Sequence, residues 1–407
     1  LSGGKTPAQI YKNGIPAELS DLRQYDVGTY DKSSDTLFVS DLKLSGLYEN
    51  AYPNAAAPST VTVMGAELTV LPSAQADLAA FKVGDKVTLL LTTTGQVAGA
   101  VSPDVAKSNA VGVAEVKGTM ATIKLLDGIL TLEGKTTYSE AAAAKLNGCL
   151  VTVSSYKRDY LTLSKVNGKG ASTALNLTTN RMGTKELSAG ARFFEQVSNG
   201  RLVEIDRSDI TITSIPANRI TYVGYDWAGR VDKLVLNDVT GDRYDYGIIH
   251  YQPAGYQETP GNPDGNGEYK NGEISVTNGS FPKGMPPYVV GSVDGAKTNR
   301  MGGVAGSLDQ LDGKNRMAAF MPLNEAKGIR RAQFDTDAML LTTNSMVIPI
   351  SDAVECYNKT TGAWYELGKD GDHKAALNLA LAFSDDITVY YDRSPEEGGK
   401  VRIVVVE

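Results

Sequence analysis

A chain of 407 residues, 42% hydrophobic and 21% charged, is long enough for two to four domains with cores of their own. Its formal net charge of -7, with no cluster of Lys or Arg, argues against a nucleic-acid-binding surface, and no apolar run reaches the length of a spanning helix. Two cysteines, Cys149 and Cys356, are too few for a disulfide framework; two buried free thiols are the expected state and one disulfide the alternative.

Val, Thr and Tyr at strand-like alternation, punctuated by Gly, predict a mainly β chain: several small barrel-like or sandwich β-modules in series with a few short helices. In chain order, the first unit has a short Ala-rich helix over Ala74–Phe81 behind an Ser73 cap, Gly84 to end it, and a strand pair at Val87-Thr88-Leu89 and Gly95-Gln96-Val97. The second repeats the scheme. Thr137-Tyr138-Ser139-Glu140 fits a capping box for a run through Leu146, Gly148 closes it, and Val151-Thr152-Val153 with Tyr160–Leu163 make the strand pair. A third unit opens on Leu177-Thr178-Thr179-Asn180 and continues through Leu187-Ser188, Phe193-Phe194, Ile220-Thr221-Tyr222 and Gly229-Arg230-Val231; Asp209–Thr213 alternates like a strand where a helix would be expected. The same tetrapeptide returns at Leu341–Asn344, followed by Ile350-Ser351, Tyr357, a helix over Lys374–Phe383, Ile387-Thr388-Val389 and Gly399-Lys400-Val401. This is an internal repeat, and the tetrapeptide reads as a module entrance. Val87, Leu89, Ile220, Tyr222, Ile387 and Val389 are expected to face inward, with Thr88, Thr221 and Thr388 on the opposite face.

Clusters of Gly, Pro and Asn place the boundaries. The expected modules are 1–103, 104–168, 169–252 and 337–407, with a Pro/Gly/Asn-rich linker at 253–272 and a glycine-rich β segment at 273–336 that resembles neither half of the repeat. The closing run Lys400–Glu407 reads as a final strand that needs a sheet neighbour, and Leu1 in place of Met reads as an excised or processed start.

The search for chemistry returns no catalytic residue and no cofactor motif. His250 and His373 are too few for the commoner zinc sites, and no G-x-S-x-G elbow occurs. His250 falls on a strand face in alternation with Tyr244, Tyr246 and Ile248, and His373 at an exposed helix start. Asn262, Asp264, Asn266, Gly267 and Glu273 occupy positions 1, 3, 5, 6 and 12 of a calcium-loop template. Lys270 at position 9 and the prolines at 260 and 263 favour a plain linker, leaving Asn262, Asp264, Asn266 and Glu273 as the candidate calcium ligands. Tyr244, Tyr246, Tyr251 and Tyr256 are the candidate glycan contacts, since aromatic faces stack on sugars; tyrosine is equally a good strand residue.

The opening, Gly14-Ile15-Pro16, Leu22–Asp31, Tyr48–Asn54 and Phe81-Lys82-Val83-Gly84-Asp85, resembles the region that accompanies the anchoring repeats in S-layer homology domain proteins of gut Firmicutes. The end is similar to that family in Ile350-Ser351-Asp352, Glu355-Cys356-Tyr357-Asn358 and Thr388-Val389-Tyr390-Tyr391-Asp392 through Glu407. The resemblance implies a secreted, extracellular, cell-wall-associated protein whose partners are wall or surface components, with host or wall glycans among them. It supplies no catalytic residues, and the anchoring repeats themselves are not visible in this chain. The expected function is therefore a non-catalytic structural or adhesive segment of an S-layer-like surface protein, with a carbohydrate-binding module or a wall-polysaccharide-acting enzyme as the alternatives.

Overall fold

The computed structural model describes residues 6–166, 170–258, 267–291, 298–367 and 371–407. The chain is mainly β and divides into two units: Leu1–Lys169 with Lys185–Ala191 and Gly224–Asp232, and Gly170–Thr184 with Arg192–Val223 and Lys233–Glu407.

In the first unit, β1 (Gln9–Lys12), β2 (Ile15–Pro16), β3 (Val27–Asp31) and β4 (Thr36–Ser40) form a sheet of order β2-β1-β4-β3 in which β1 and β4 run parallel. Next, β5 (Lys43–Leu47) and β6 (Asn50–Tyr52) act as two halves of one bent strand. β6 pairs with β7 (Thr60–Val63) and β7 with β8 (Ala66–Thr69), while β5 pairs with β9 (Lys86–Leu91) and β9 with β10 (Val97–Val101). A parallel bridge between Val70 and Val97 joins the two sets, and α1 (Pro72–Leu78) crosses between β8 and β9. The following strands, β11 (Val111–Lys117), β12 (Met120–Leu125), β13 (Thr131–Thr136), β14 (Leu150–Lys157) and β15 (Tyr160–Lys165), close a barrel of order β11-β12-β13-β15-β14. Its third and fifth strands are parallel, and α2 (Glu140–Ala144) lies between the third and fourth. Both modules therefore share the strand order 1-2-3-5-4 of an OB-type barrel, with a helix after the third strand.

Their interiors fuse into one hydrophobic cluster that runs from Leu42 to Leu163 and includes Leu44, Val63, Leu89, Ile123, Leu132 and Leu161. Modules of this size bury little by themselves, so a shared core is a principal source of their stability. The joint is tight. Glu133 N donates to Met64 O at 3.1 Å, and a Cβ on Gly65, whose φ is +71°, would run into the Glu133 carbonyl. Only glycine fits there.

The plan recurs along the chain from residue 170 onward. β16 (Leu175–Asn176), β17 (Arg181–Met182), β18 (Lys185–Gln196), β19 (Val203–Ile205), β20 (Ser214–Ile215), β21 (Ile220–Tyr225) and β22 (Val231–Asn237) take the order β20-β16-β17-β18-β22-β21, with β19 on β18. Ala171 N donates to Ile220 O at 3.2 Å, linking the segment before β16 to the start of β21. β23 (Asp245–Gln252), β24 (Gly255–Glu258), β25 (Gly267–Lys270), β26 (Gly272–Thr277), β27 (Tyr288–Val290), β28 (Arg300–Leu311) and β29 (Lys314–Pro322) follow. Five of them close a barrel of order β23-β26-β27-β29-β28, and β24 with β25 form a hairpin inserted between its first two strands. Last come β30 (Asn324–Ile329), β31 (Phe334–Asp335), β32 (Leu340–Thr342), β33 (Val347–Asn358), β34 (Ala363–Trp364), α3 (His373–Ala382), β35 (Ile387–Tyr391) and β36 (Val401–Val406). Their order is β30-β35-β36-β33-β32-β31, with β33 and β36 parallel. Here β30 and β31 serve as the bent first strand, as β5 and β6 do in the first module.

Among the described residues, then, five stretches follow one plan: 43–101, 111–165, 170–237, 245–322 and 324–406. The sequence-based boundaries at 252, 272 and 336 fall inside this pattern, since β23 and β26 pair across 253–272 and β30 belongs to the last sheet. The glycine-rich block is barrel as well. A Cβ on Gly303 would come 2.6 Å from the Tyr246 ring and one on Gly306 2.5 Å from Tyr288, so these glycines make room for aromatic side chains.

The repeated tetrapeptide marks different places in its two modules. Leu177–Asn180 forms the turn between β16 and β17, whereas Leu341–Asn344 runs from β32 into the turn before β33. The true counterparts are Asn176 and Asp335, whose side-chain oxygens accept backbone N–H groups of the following turn, and Asn180 and Met339, each at positive φ just before the second strand. Asp209–Thr213 holds the end of a 3-10 turn and no strand, because strand pairing begins only at Ser214. α1 starts at Pro72 rather than behind Ser73, since proline is preorganised for the first helical position. Val87, Leu89, Ile220, Ile387 and Val389 are buried as expected, and Tyr222 is half-buried. Thr88 is buried too, bonded to Ser45 Oγ and Ala106 O. Val401–Val406 of the closing run is buried throughout as β36, the strand flanked by both β33 and β35.

Candidate functional site

Buried charge concentrates in the second unit, where the loop from β22 to β23 meets the last module. The loop is built around two acids. Glu195 of β18 is fully buried and accepts from Val239 N at 2.5 Å, Thr240 N at 2.7 Å and the Thr240 hydroxyl. Asp238 accepts from Arg393 at 2.6 Å and Arg219 at 3.1 Å. Past them, Gly241 lies so close to Asp392 and Arg402 that no Cβ could be accommodated.

Arg402, on β36 and 1% exposed, is the centre of this arrangement. Nε donates to Asp392 at 2.9 Å; Nη1 to Asp242 at 2.5 Å and Ser351 Oγ at 3.0 Å; Nη2 to Thr240 O at 2.6 Å and Asp392 at 2.8 Å. All five donors of the fork are thus used, and the guanidinium lies 4.9 Å from the centre of the Tyr246 ring. Burial opposes this charge, yet Tyr246, Asp392 and Asp242 hold the arginine's pKa above its ordinary value. For Asp242 burial pushes upward, but Arg402 and Lys400, the latter at 2.8 Å, outweigh it and hold the carboxyl below the usual range. A charge so completely paired is a fastener, with no donor left for a ligand.

Beside the clamp lies a cavity of about 370 Å³ lined by Asp242, Asp245, Asn278, Glu355, His373 and Arg402 among others. Glu355, 4% exposed on β33, accepts from Gly279 N at 2.8 Å and Ser280 Oγ at 3.5 Å. Burial pushes its carboxyl up to about 7 despite those bonds. Asp245 is raised by burial as well. His373 stands 4.0 Å from Glu355, with Nδ1 3.0 Å from Val354 O; it begins α3 as expected but is half-buried. Glu355 could hold or move a proton near neutral pH.

The sequence-named residues fare differently. Tyr244 and Tyr246 are buried with ring centroids 5.9 Å apart, in a cluster with Ala305, Met321, Ile403 and Val405 that joins the last two modules; burial raises both phenols. Tyr251 is half-buried against the Ile249 core, and the Tyr256 side chain lies outside the described residues. Of the calcium candidates, Asn262, Asp264 and Asn266 also lie outside them, and Glu273 sits on β26 paired with Lys314. His250 bonds Thr277 Oγ1 at 3.0 Å. Cys356 is buried and Cys149 half-buried, and both thiols are free. Among the described residues no group of three or more His, Cys, Asp or Glu is placed to hold a metal, and no helix is long and apolar enough to cross a membrane.

Sequence reasoning missed Asp392 and Arg402, although a signal existed. Tyr-Asp stands at the turn between two consecutive antiparallel strands at Tyr30-Asp31 (β3 to β4), Tyr225-Asp226 (β21 to β22) and Tyr391-Asp392 (β35 to β36), the last two being the turn from fourth to fifth strand of their modules. Asp31 accepts from Ser33 and Ser34, and Asp226 from Ala228 N, Arg230 N and Arg230 Nε; Asp392 accepts from Arg393 N and Lys400 N and then adds Arg402. Asp31 is exposed and held below the usual range by its serine bonds. The motif closes a turn in each copy, and in the last it also holds the buried arginine. No family model, curated protein or solved structure matches the chain.

Proposed function

We propose that the chain is a non-catalytic extracellular segment of an S-layer-like, cell-wall-associated surface protein, with a structural or adhesive role. The observation that supports it most is the Arg402 clamp, in which every donor is spent on residues of the same chain, within a series of barrel-like modules built on one plan. Charge used in this way fixes modules to one another, as a load-carrying surface segment requires. The resemblance to S-layer homology proteins adds the setting, and wall or surface components are then the partners. Antibodies raised against the segment should label intact cells of its source, and labelling seen only after lysis would overturn the assignment.

A second reading, an enzyme acting on wall polysaccharide, rests on Glu355 and Asp245 lining one cavity, with Glu355 poised at about 7. Release of reducing sugar from wall polysaccharide by the pure chain, lost in Glu355→Gln, would establish it and displace the first reading.

A further inference from the structure

A second cavity, of about 430 Å³, shares Asp242, Arg243, Tyr244 and Asp245 with the first and is closed by residues of β27, β28 and β29. Its volume is in the range of small-molecule sites. Two of its residues carry charged groups that the fold leaves unpaired among the described residues, and a third, Tyr288, packed against the Ile249 core, borders the cavity.

Arg243 comes first. It is half-buried with Nε out of contact with solvent, yet its side chain has no hydrogen-bond or ion-pair partner among the described residues. Arg402 engages every one of its donors, so the contrast lies in position and not in residue type. A buried donor without an acceptor destabilises the fold unless a ligand supplies one. Asp245 likewise is half-buried, with no side-chain partner among the described residues. Tyr288 is half-buried with its ring laid against Gly306, where a Cβ would come within 2.5 Å of it, so the glycine keeps room for the ring beside the cavity. Asn315 adds an amide to the lining.

A fork that reads carboxylates, an acid that accepts hydroxyl protons, an amide and an aromatic face together match one ligand chemistry. We propose that this cavity binds a saccharide bearing a carboxylate, with Arg243 on the acidic group, Asp245 and Asn315 on hydroxyls and Tyr288 against the ring. The assignment stands apart from the structural role proposed above, since that role requires no pocket ligand. It also moves the aromatic sugar contact to Tyr288, since Tyr246 does not line this cavity and Tyr244, which does, is only 9% exposed.

The test is titration of the whole chain with glucuronate, glucose and inorganic phosphate, followed by calorimetry or ligand-observed NMR. Glucuronate should bind, glucose should bind at least about tenfold more weakly, and Arg243→Gln should weaken glucuronate by a similar factor. Arg243→Lys, which keeps the charge and loses the fork, should fall between the two. Thermal melts keep the test decisive, because removing an arginine without a partner should leave the melting temperature unchanged or raised. No glucuronate binding, phosphate binding as tightly as glucuronate, affinity unmoved in Arg243→Gln, or a melting temperature several degrees lower in that variant would each overturn the proposal.

Discussion

Asp392 is completely enclosed and its charge is neutralised chiefly by one neighbour, so the clamp is asymmetric in its sensitivity. Replacing Arg402 by Met leaves Asp392 buried without its partner and should cost about 3–5 kcal/mol in denaturant unfolding. Glu355 behaves in the opposite sense. Its folded pKa, about 7, lies above that of an unfolded glutamate, so the folded chain binds the extra proton. Its contribution is fully present below the unfolded value and is lost as pH rises through about 7. Glu355→Gln should therefore flatten the fall in stability between mildly acid and neutral pH, by up to roughly 3 kcal/mol at neutrality. Melting curves of both proteins at several pH values measure it, and parallel profiles would show that the glutamate does not titrate in that window.

At the scale of elements, the hairpins with Tyr-Asp are the most transferable feature. Asp226 is 3% exposed in its side chain and holds two backbone N–H groups and one guanidinium, so Asp226→Ala should cost roughly 1–3 kcal/mol. Gly65→Ala combines a strained φ with a collision against the Glu133 carbonyl and should cost roughly 2 kcal/mol or more, read from the urea midpoint. Local periodicity made many elements legible. The strands at 86–91, 150–157 and 387–391 and helices at 72–78, 140–144 and 373–382 stand near the positions that alternation and composition gave them, although the expected caps did not fix the starts: α1 begins at Pro72, and α2 runs Glu140–Ala144 behind Ser139 with no capping box at Thr137. Register was not legible, because two-residue strands such as β16 and β17 carry no periodicity of their own. A repeated tetrapeptide was thus matched across positions that the fold does not equate.

At the scale of the molecule, the mainly β class and the modular repeat could be read from the sequence, whereas the glycine-rich block could not be assigned to a module. Its glycines look like loop residues until the aromatic rings they accommodate are known. The clamp was hidden for a related reason. Asp242, Ser351 and Asp392 converge on Arg402 from distant parts of the sequence, with Asp242 in a loop whose Thr240 is held by Glu195, and each looks locally like a capping or surface residue. The core shared by 43–101 and 111–165 implies cooperative unfolding of that pair. A fragment spanning both should melt in one calorimetric transition, and each module made alone should melt lower or remain unfolded.

The loop between β22 and β23 has no regular secondary structure at residues 238–244, yet Val239 and Thr240 donate their amide protons to a fully buried carboxylate. In deuterated solvent these two amides should exchange as slowly as those of a central strand, opening only when the surrounding barrels open. A protease that cuts irregular surface segments should then pass over this connection.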